Sequence, residues 1–148
     1  MKYQKTQHSI VLNIILLSTI IFVIIAHVKQ LGSKPIPLLP TVILVLFLGF
    51  VWLLFYKLQI KIDAKTITAT FGIGLLKKQI PLDTINLGSL EVVKPSALAG
   101  IGIRITKKGI LWNVKVGKAI YFKTKDATKT FFVGTDDAEA IINILKSK

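Results

Sequence analysis

The chain has 148 residues, no cysteine, and a formal net charge of +13 from 20 Lys or Arg against 7 Asp or Glu. Disulfides, thiolate nucleophiles and cysteine-ligated metals are therefore excluded, and the composition fits a reducing compartment. The charge is unevenly spread: Thr6 to Val28 and Pro35 to Tyr56 carry none.

A helix satisfies its own backbone hydrogen bonds, so about 20 apolar residues rising about 1.5 Å each can cross the roughly 30 Å hydrocarbon slab. Residues 9–28 and 38–56 have that length and composition, which predicts a transmembrane helical hairpin over residues 1–56. Lys2 and Lys5 ahead of the first run resemble the start of a secretory signal. The apolar core is too long for one, and no small-x-small cleavage pattern follows it, so an uncleaved anchor is expected. Pro35, Pro37 and Pro40 stiffen the connection at residues 29–40, and its shortness makes the helices antiparallel neighbours. Asn13, Ser18 and Thr19 on the first helix and Gly49 on the second are the expected contact points. Neither span holds an Asp, Glu, Lys or Arg, the residues that mark ion or proton pathways. Trp52 and Tyr56 fit an interfacial aromatic belt.

Orientation follows from flanking cations. Lys2, Lys5, Lys57, Lys61 and Lys65 flank the outer ends of the hairpin, against Lys29 and Lys34 in its loop. That bias predicts a multi-pass protein of the cell (inner) membrane with both termini cytoplasmic. Residues 57–148 then form one small cytosolic domain, with 16 Lys or Arg against 7 Asp or Glu, a net +9. An anionic leaflet attracts such a surface at about 1 kcal/mol per cation. Nucleic acid is not expected as a partner, because no aromatic-basic motif, finger or recognition helix can be drawn.

The domain begins at once. Leu58 to Asp63 alternates apolar and polar residues, and Thr66 to Phe71 does so again after the turn Asp63 to Lys65. Gly72 to Gly74 turns the chain into a third strand ending at Pro81, and Leu82 to Ile85 forms a corner. Further strands are expected near Leu87 to Lys94, Ile101 to Thr106, Ile110 to Val114, Ala119 to Lys123 and Thr130 to Val133, with a loop at Pro95 to Gly100. The period then changes: Ala138, Ile141, Ile142 and Leu145 share one helical face. Thr135 or Asp136 is the expected cap, with Asp137 and Glu139 in the first turn and Lys146 and Lys148 in the last. The predicted fold is thus two transmembrane α-helices followed by a mainly-β barrel or sandwich. About seven antiparallel strands make up its sheets, capped by a C-terminal α-helix.

Four stretches carry a family resemblance: Phe71 to Ile85, Gly100 to Arg104, Leu111 to Val114, and Phe132 to Glu139 leading into the helix. In these, and in the order of its elements, the chain resembles bacterial pleckstrin-homology-like membrane proteins, in which two helices precede the domain. The resemblance implies a fold and a membrane setting, and it supplies no substrate, cofactor or catalytic residue. Phosphoinositide-binding members of the wider superfold use a basic turn between strands one and two. The corresponding turn here, Asp63 to Lys65, has a single cation, which argues against that mode.

Little in the chain points to catalysis. His8 and His27 flank the first helix and cannot share a site. Asp136, Asp137 and Glu139 fit a helix dipole better than a cation site. Gly72–Gly74 and Gly100–Gly102 lack the later residues of a phosphate loop and read as turns. Trp112, Phe131 and Phe132 read as barrel core. Arg104, the one arginine, is expected as a strand residue facing solvent, as one paired with Asp83 or Glu91, or as a bidentate contact to a carboxylate or lipid phosphate. Lys107, Lys108, Lys115 and Lys118, read as clustering around two neighbouring turns, are either solvated or contact anionic headgroups. No catalytic residue, metal site, cofactor or small-molecule substrate is expected. The expected function is a membrane-anchored, non-enzymatic interaction module that holds a protein partner, or copies of itself, beside the bilayer. The alternative is an anionic-lipid-binding or envelope-stress-related membrane protein.

Overall fold

The computed structural model describes residues 3–32, 34–96 and 101–147. Two helices, α1 (Ile10–Val28) and α2 (Leu38–Phe55), are long and apolar enough to cross a membrane. They lie against each other, and the Trp52 indole Nε1 donates to Asn13 Oδ1 across the pair at 3.1 Å. The other expected contact points differ. Ser18 and Thr19 donate back to the Ile15 carbonyl within α1, at 3.0 and 2.7 Å. A Cβ at Gly49 would meet nothing within 4 Å, so that glycine does not mark a close approach.

The unforeseen element is a strand ahead of α1. β1 (Tyr3–His8) pairs antiparallel with β2 (Lys57–Ile62) over six residues, from Tyr3 opposite Ile62 to His8 opposite Lys57. Ser9 N–H donates to the Tyr56 carbonyl at 3.1 Å, closing the ladder where the chain leaves for α1 and returns from α2. The helical hairpin is therefore an insertion between two paired strands, and the expected boundary at residue 56 does not separate hairpin from sheet.

β3 (Thr66–Phe71) and β4 (Leu76–Pro81) complete a first antiparallel sheet in the order β1-β2-β3-β4. The corner Leu82–Thr84 is a turn of 3-10 helix that delivers Ile85 to the core. The strand expected over Leu87 to Lys94 is shorter. Asn86 accepts the Gly88 N–H at 3.0 Å and bends Leu87–Ser89 into another 3-10 turn, leaving β5 (Glu91–Val93). β6 (Gly102–Thr106), β7 (Gly109–Asn113), β8 (Ala119–Lys123) and β9 (Thr130–Gly134) follow. Residues 97–100 of the expected loop lie outside the described residues, Gly100 among them.

The second sheet has the order β5-β8-β9-β7-β6. Its β7–β9 pair is parallel, Leu111 opposite Phe132 and Trp112 opposite Val133, so the sheets are not the purely antiparallel meander expected. The described residues hold nine strands rather than about seven. Leu58, Ile60, Ile62, Ile67 and Phe71 of the first sheet meet Trp112, Ile120, Phe122, Phe131 and Val133 of the second in one core. α3 (Ala138–Lys146) closes it with Ala138, Ile141 and Leu145, as its period predicts. Trp112 and Phe131 are core, as expected. Phe132 lies instead in a small second cluster with Leu111, Ala119 and Tyr121.

The hairpin is welded to this core. Phe55 meets Phe71 edge-on at 5.4 Å, and Phe71 stacks on Trp112 at 5.3 Å. Gly72, at φ +50°, lies directly under the Leu53 and Leu54 carbonyls, where no side chain fits. Its N–H donates to the Lys57 carbonyl at 2.9 Å, and the Ile73 N–H donates to that of Leu53 at 3.2 Å.

Candidate functional site

The four lysines do not form one cluster. Lys107 and Lys108 precede β7, whereas Lys115 and Lys118 follow it. Its 5 residues at about 3.4 Å each separate the two turns by roughly 17 Å. Three of the four are engaged with carboxylates. Lys108 Nζ lies 2.8 Å from Glu91 Oε2, Lys118 Nζ lies 2.7 Å from Glu139 Oε1, and Lys115 pairs with Asp136. Exposed pairs of this kind are each worth about 0–1 kcal/mol. The Lys115 and Lys118 pairs tie the β7–β8 turn to the start of α3, where Thr135 N–H also donates to the Lys118 carbonyl at 2.9 Å.

That corner carries Asp136, Asp137 and Glu139, three of the 7 acidic residues of the domain. Asp137, not Thr135 or Asp136, is the residue that caps α3, and its side chain makes no capping bond. Its carboxylate instead accepts from the Tyr3 hydroxyl at 2.8 Å and lies 3.2 Å from Lys5 Nζ, which fastens β1 to α3. The Tyr3 hydrogen bond, assisted by Lys5, holds the Asp137 carboxyl below its usual range. Burial, then the same carboxylate, pushes the Tyr3 hydroxyl well up. The Lys118 amine likewise lowers Glu139. We expect Tyr3→Phe to lower stability at neutral pH by about 1 kcal/mol, the part-exposed end of the range for a hydrogen bond to a charged group. A depressed folded-state pKa contributes stability above the unfolded carboxylate value and loses it as pH falls through the folded one. The gap between variant and parent therefore narrows in strong acid, which thermal unfolding across pH will read.

Arg104 lies on β6, which with β5 is one of the two outer strands of the second sheet, and is exposed opposite Leu111. It makes no ion pair among the described residues, and Glu91, one of its two expected partners, is held by Lys108. Beside it Ile105 is 90% exposed, opposite the exposed Ile110. β4, which with β1 is one of the two outer strands of the first sheet, is built differently. β4 carries Lys77, Lys78 and Pro81, and burial lowers the Lys78 amine. Lysine and proline are devices that stop an edge from pairing. β6 has neither.

A groove of about 510 Å³ opens one β2 length from the end of α2, lined by Ala64, Leu82, Asp83, Leu87, Lys125 and Leu145. Among the described residues no three potential metal ligands gather. No protein-family model, curated protein or solved structure matches the chain. Sequence reasoning passed over Ile105 because a strand of Ile, Arg and Ile shows alternation without showing which face is covered.

Proposed function

We propose that this is a membrane-anchored, non-enzymatic interaction module with a pleckstrin-homology-like domain. It lies at the inner leaflet with both termini cytoplasmic, and it binds a protein partner through the free edge of β6. The observation that carries the reading is an edge that no described strand pairs, together with an unspent cation: Ile105 90% exposed, Ile110 beside it, and Arg104 without a carboxylate among the described residues. A partner strand added there gains main-chain hydrogen bonds, and an acidic side chain on it meets Arg104. The welded junction supports the reading, since it fixes the height of that edge above the lipid and confines encounters to a surface.

On this reading the helical hairpin occupies the place of the turn that gives phosphoinositide-binding relatives of the superfold their basic motif. Asp63 to Lys65 is then the turn between the second and third strands, β2 and β3. A photo-crosslinking residue at Ile105, activated in native membranes, tests the proposal. A discrete adduct with another protein supports it, or one at twice the chain mass if the partner is a second copy. Adducts with lipid alone overturn it in favour of the anionic-lipid reading.

A further inference from the structure

We propose that the β3–β4 turn, Gly72 to Leu75, is a third point of contact with the bilayer, placing Ile73 and Leu75 in the interfacial layer of the leaflet. This rests on α1 and α2 spanning that bilayer. The position of the turn is set by backbone bonding. Ile73 N–H donates to the carbonyl of Leu53, two residues before the last residue of α2, at 3.2 Å. At about 1.5 Å per residue, the turn lies within roughly 3 Å of the helix end along the axis. Its two apolar side chains are turned outward: Ile73 is 54% and Leu75 66% exposed. Whatever surrounds the last turn of α2 also surrounds them.

The neighbouring residues grade as an interface does. Trp52 and Tyr56, with ring centroids 5.5 Å apart, occupy the same level, where amphipathic rings settle at the headgroups. Lys57 Nζ sits 5.1 Å from the centre of the Tyr56 ring, and exposed Lys77 lies on β4 two residues after Leu75. Long amines placed just beyond an apolar tip reach the phosphates while their stems stay in the apolar layer. The occupant is therefore lipid. The turn acts as a wedge beside the helices and resists tilting of the domain about its junction.

The absence of cysteine allows one probe per molecule. Ile73→Cys, Leu75→Cys, Leu87→Cys and Phe47→Cys in the full chain, each carrying an environment-sensitive fluorophore, are reconstituted in vesicles of phosphatidylcholine and phosphatidylglycerol. Probes at 73 and 75 are expected to emit to the blue of the probe at 87, to lose quenching by aqueous iodide, and to be quenched by lipids spin-labelled near the headgroup. Iodide quenching at 73 and 75 equal to that at 87, with the mid-helix probe at 47 shielded, overturns the wedge and leaves the span intact. Iodide access at 47 overturns both. Two separate probe positions keep the test valid if one labelled variant misfolds.

Discussion

Residues 57–148 expressed alone are expected to aggregate, whereas residues 3–9 joined to 56–148 by a two-residue Asn-Gly turn are expected to give a soluble, folded monomer. Ser9 N–H donates to the Tyr56 carbonyl at 3.1 Å, so these two residues are the pair on which a tight hairpin can close in place of the helices. Without β1, the strand of Leu58, Ile60 and Ile62 becomes an open edge over a core in which all three are fully buried. An unprotected edge of that kind is a template for pairing with other chains. The loss also removes the Tyr3–Asp137 bond, the Gln7 amide bond to the Gly134 carbonyl at 3.0 Å, and the Gln59–Thr6 contact at 3.1 Å. At about 1 kcal/mol for each such bond, these three remove about 3 kcal/mol of the roughly 5–15 kcal/mol that typically holds a domain, before the ladder itself is counted. Size-exclusion chromatography and thermal unfolding of the two chains decide the matter. Equal folding of both would show that β1 is dispensable.

Gly72→Ala is the second large expected effect. A left-handed backbone costs a non-glycine residue about 1–2 kcal/mol, and lifting the turn away from α2 forfeits a hydrogen bond worth about 1 kcal/mol. The added methyl would fall on the Leu53 and Leu54 carbonyls, which belong to a helix and cannot step aside. A loss of about 2–3 kcal/mol is therefore expected, together with new protease cleavage near residues 56–58 as the Phe55–Phe71 contact opens. Gly74→Ala is the control. Its φ of +102° is also strained, but the nearest atom to its new Cβ is a Thr70 methyl at 3.8 Å. A Gly74→Ala loss as large as that of Gly72→Ala would assign the whole effect to backbone strain and none to the junction.

Much of this architecture can be read locally. The charge-free runs give α1 and α2, strict alternation gives β2 and β3, and the spacing of Ala138, Ile141 and Leu145 gives the buried face of α3. β1 is silent in the sequence, because apart from Tyr3 its residues Gln4, Lys5, Thr6, Gln7 and His8 are polar on both faces. It is a strand only because β2 offers it a ladder across an insertion of 48 residues, 9 to 56. The parallel β7–β9 pair is invisible for a similar reason: Leu111 and Phe132 are distant in sequence, and nothing local states which neighbour a strand chooses. The distance between the two lysine turns is not legible locally, because it is set by the length of β7 between them. Arg104 and Ile105 were legible as a strand but not as an edge, since edges are properties of sheet order. Ile73 and Leu75 look like ordinary turn residues until the Leu53 carbonyl fixes their depth.

The pairing of β1 with β2 also bears on how the protein is made. The ribosome releases β1 first, and its partner emerges only after both apolar helices have been synthesised. With those helices in lipid, the two strands can zip together only in a molecule that has crossed the membrane twice and brought both ends back to the same compartment. A chain threaded once leaves β1 stranded across the bilayer, and its first sheet stays one strand short with Leu58, Ile60 and Ile62 at a raw margin. With the helices in lipid, the complete sheet is thus open only to a chain whose two ends share one side of the bilayer.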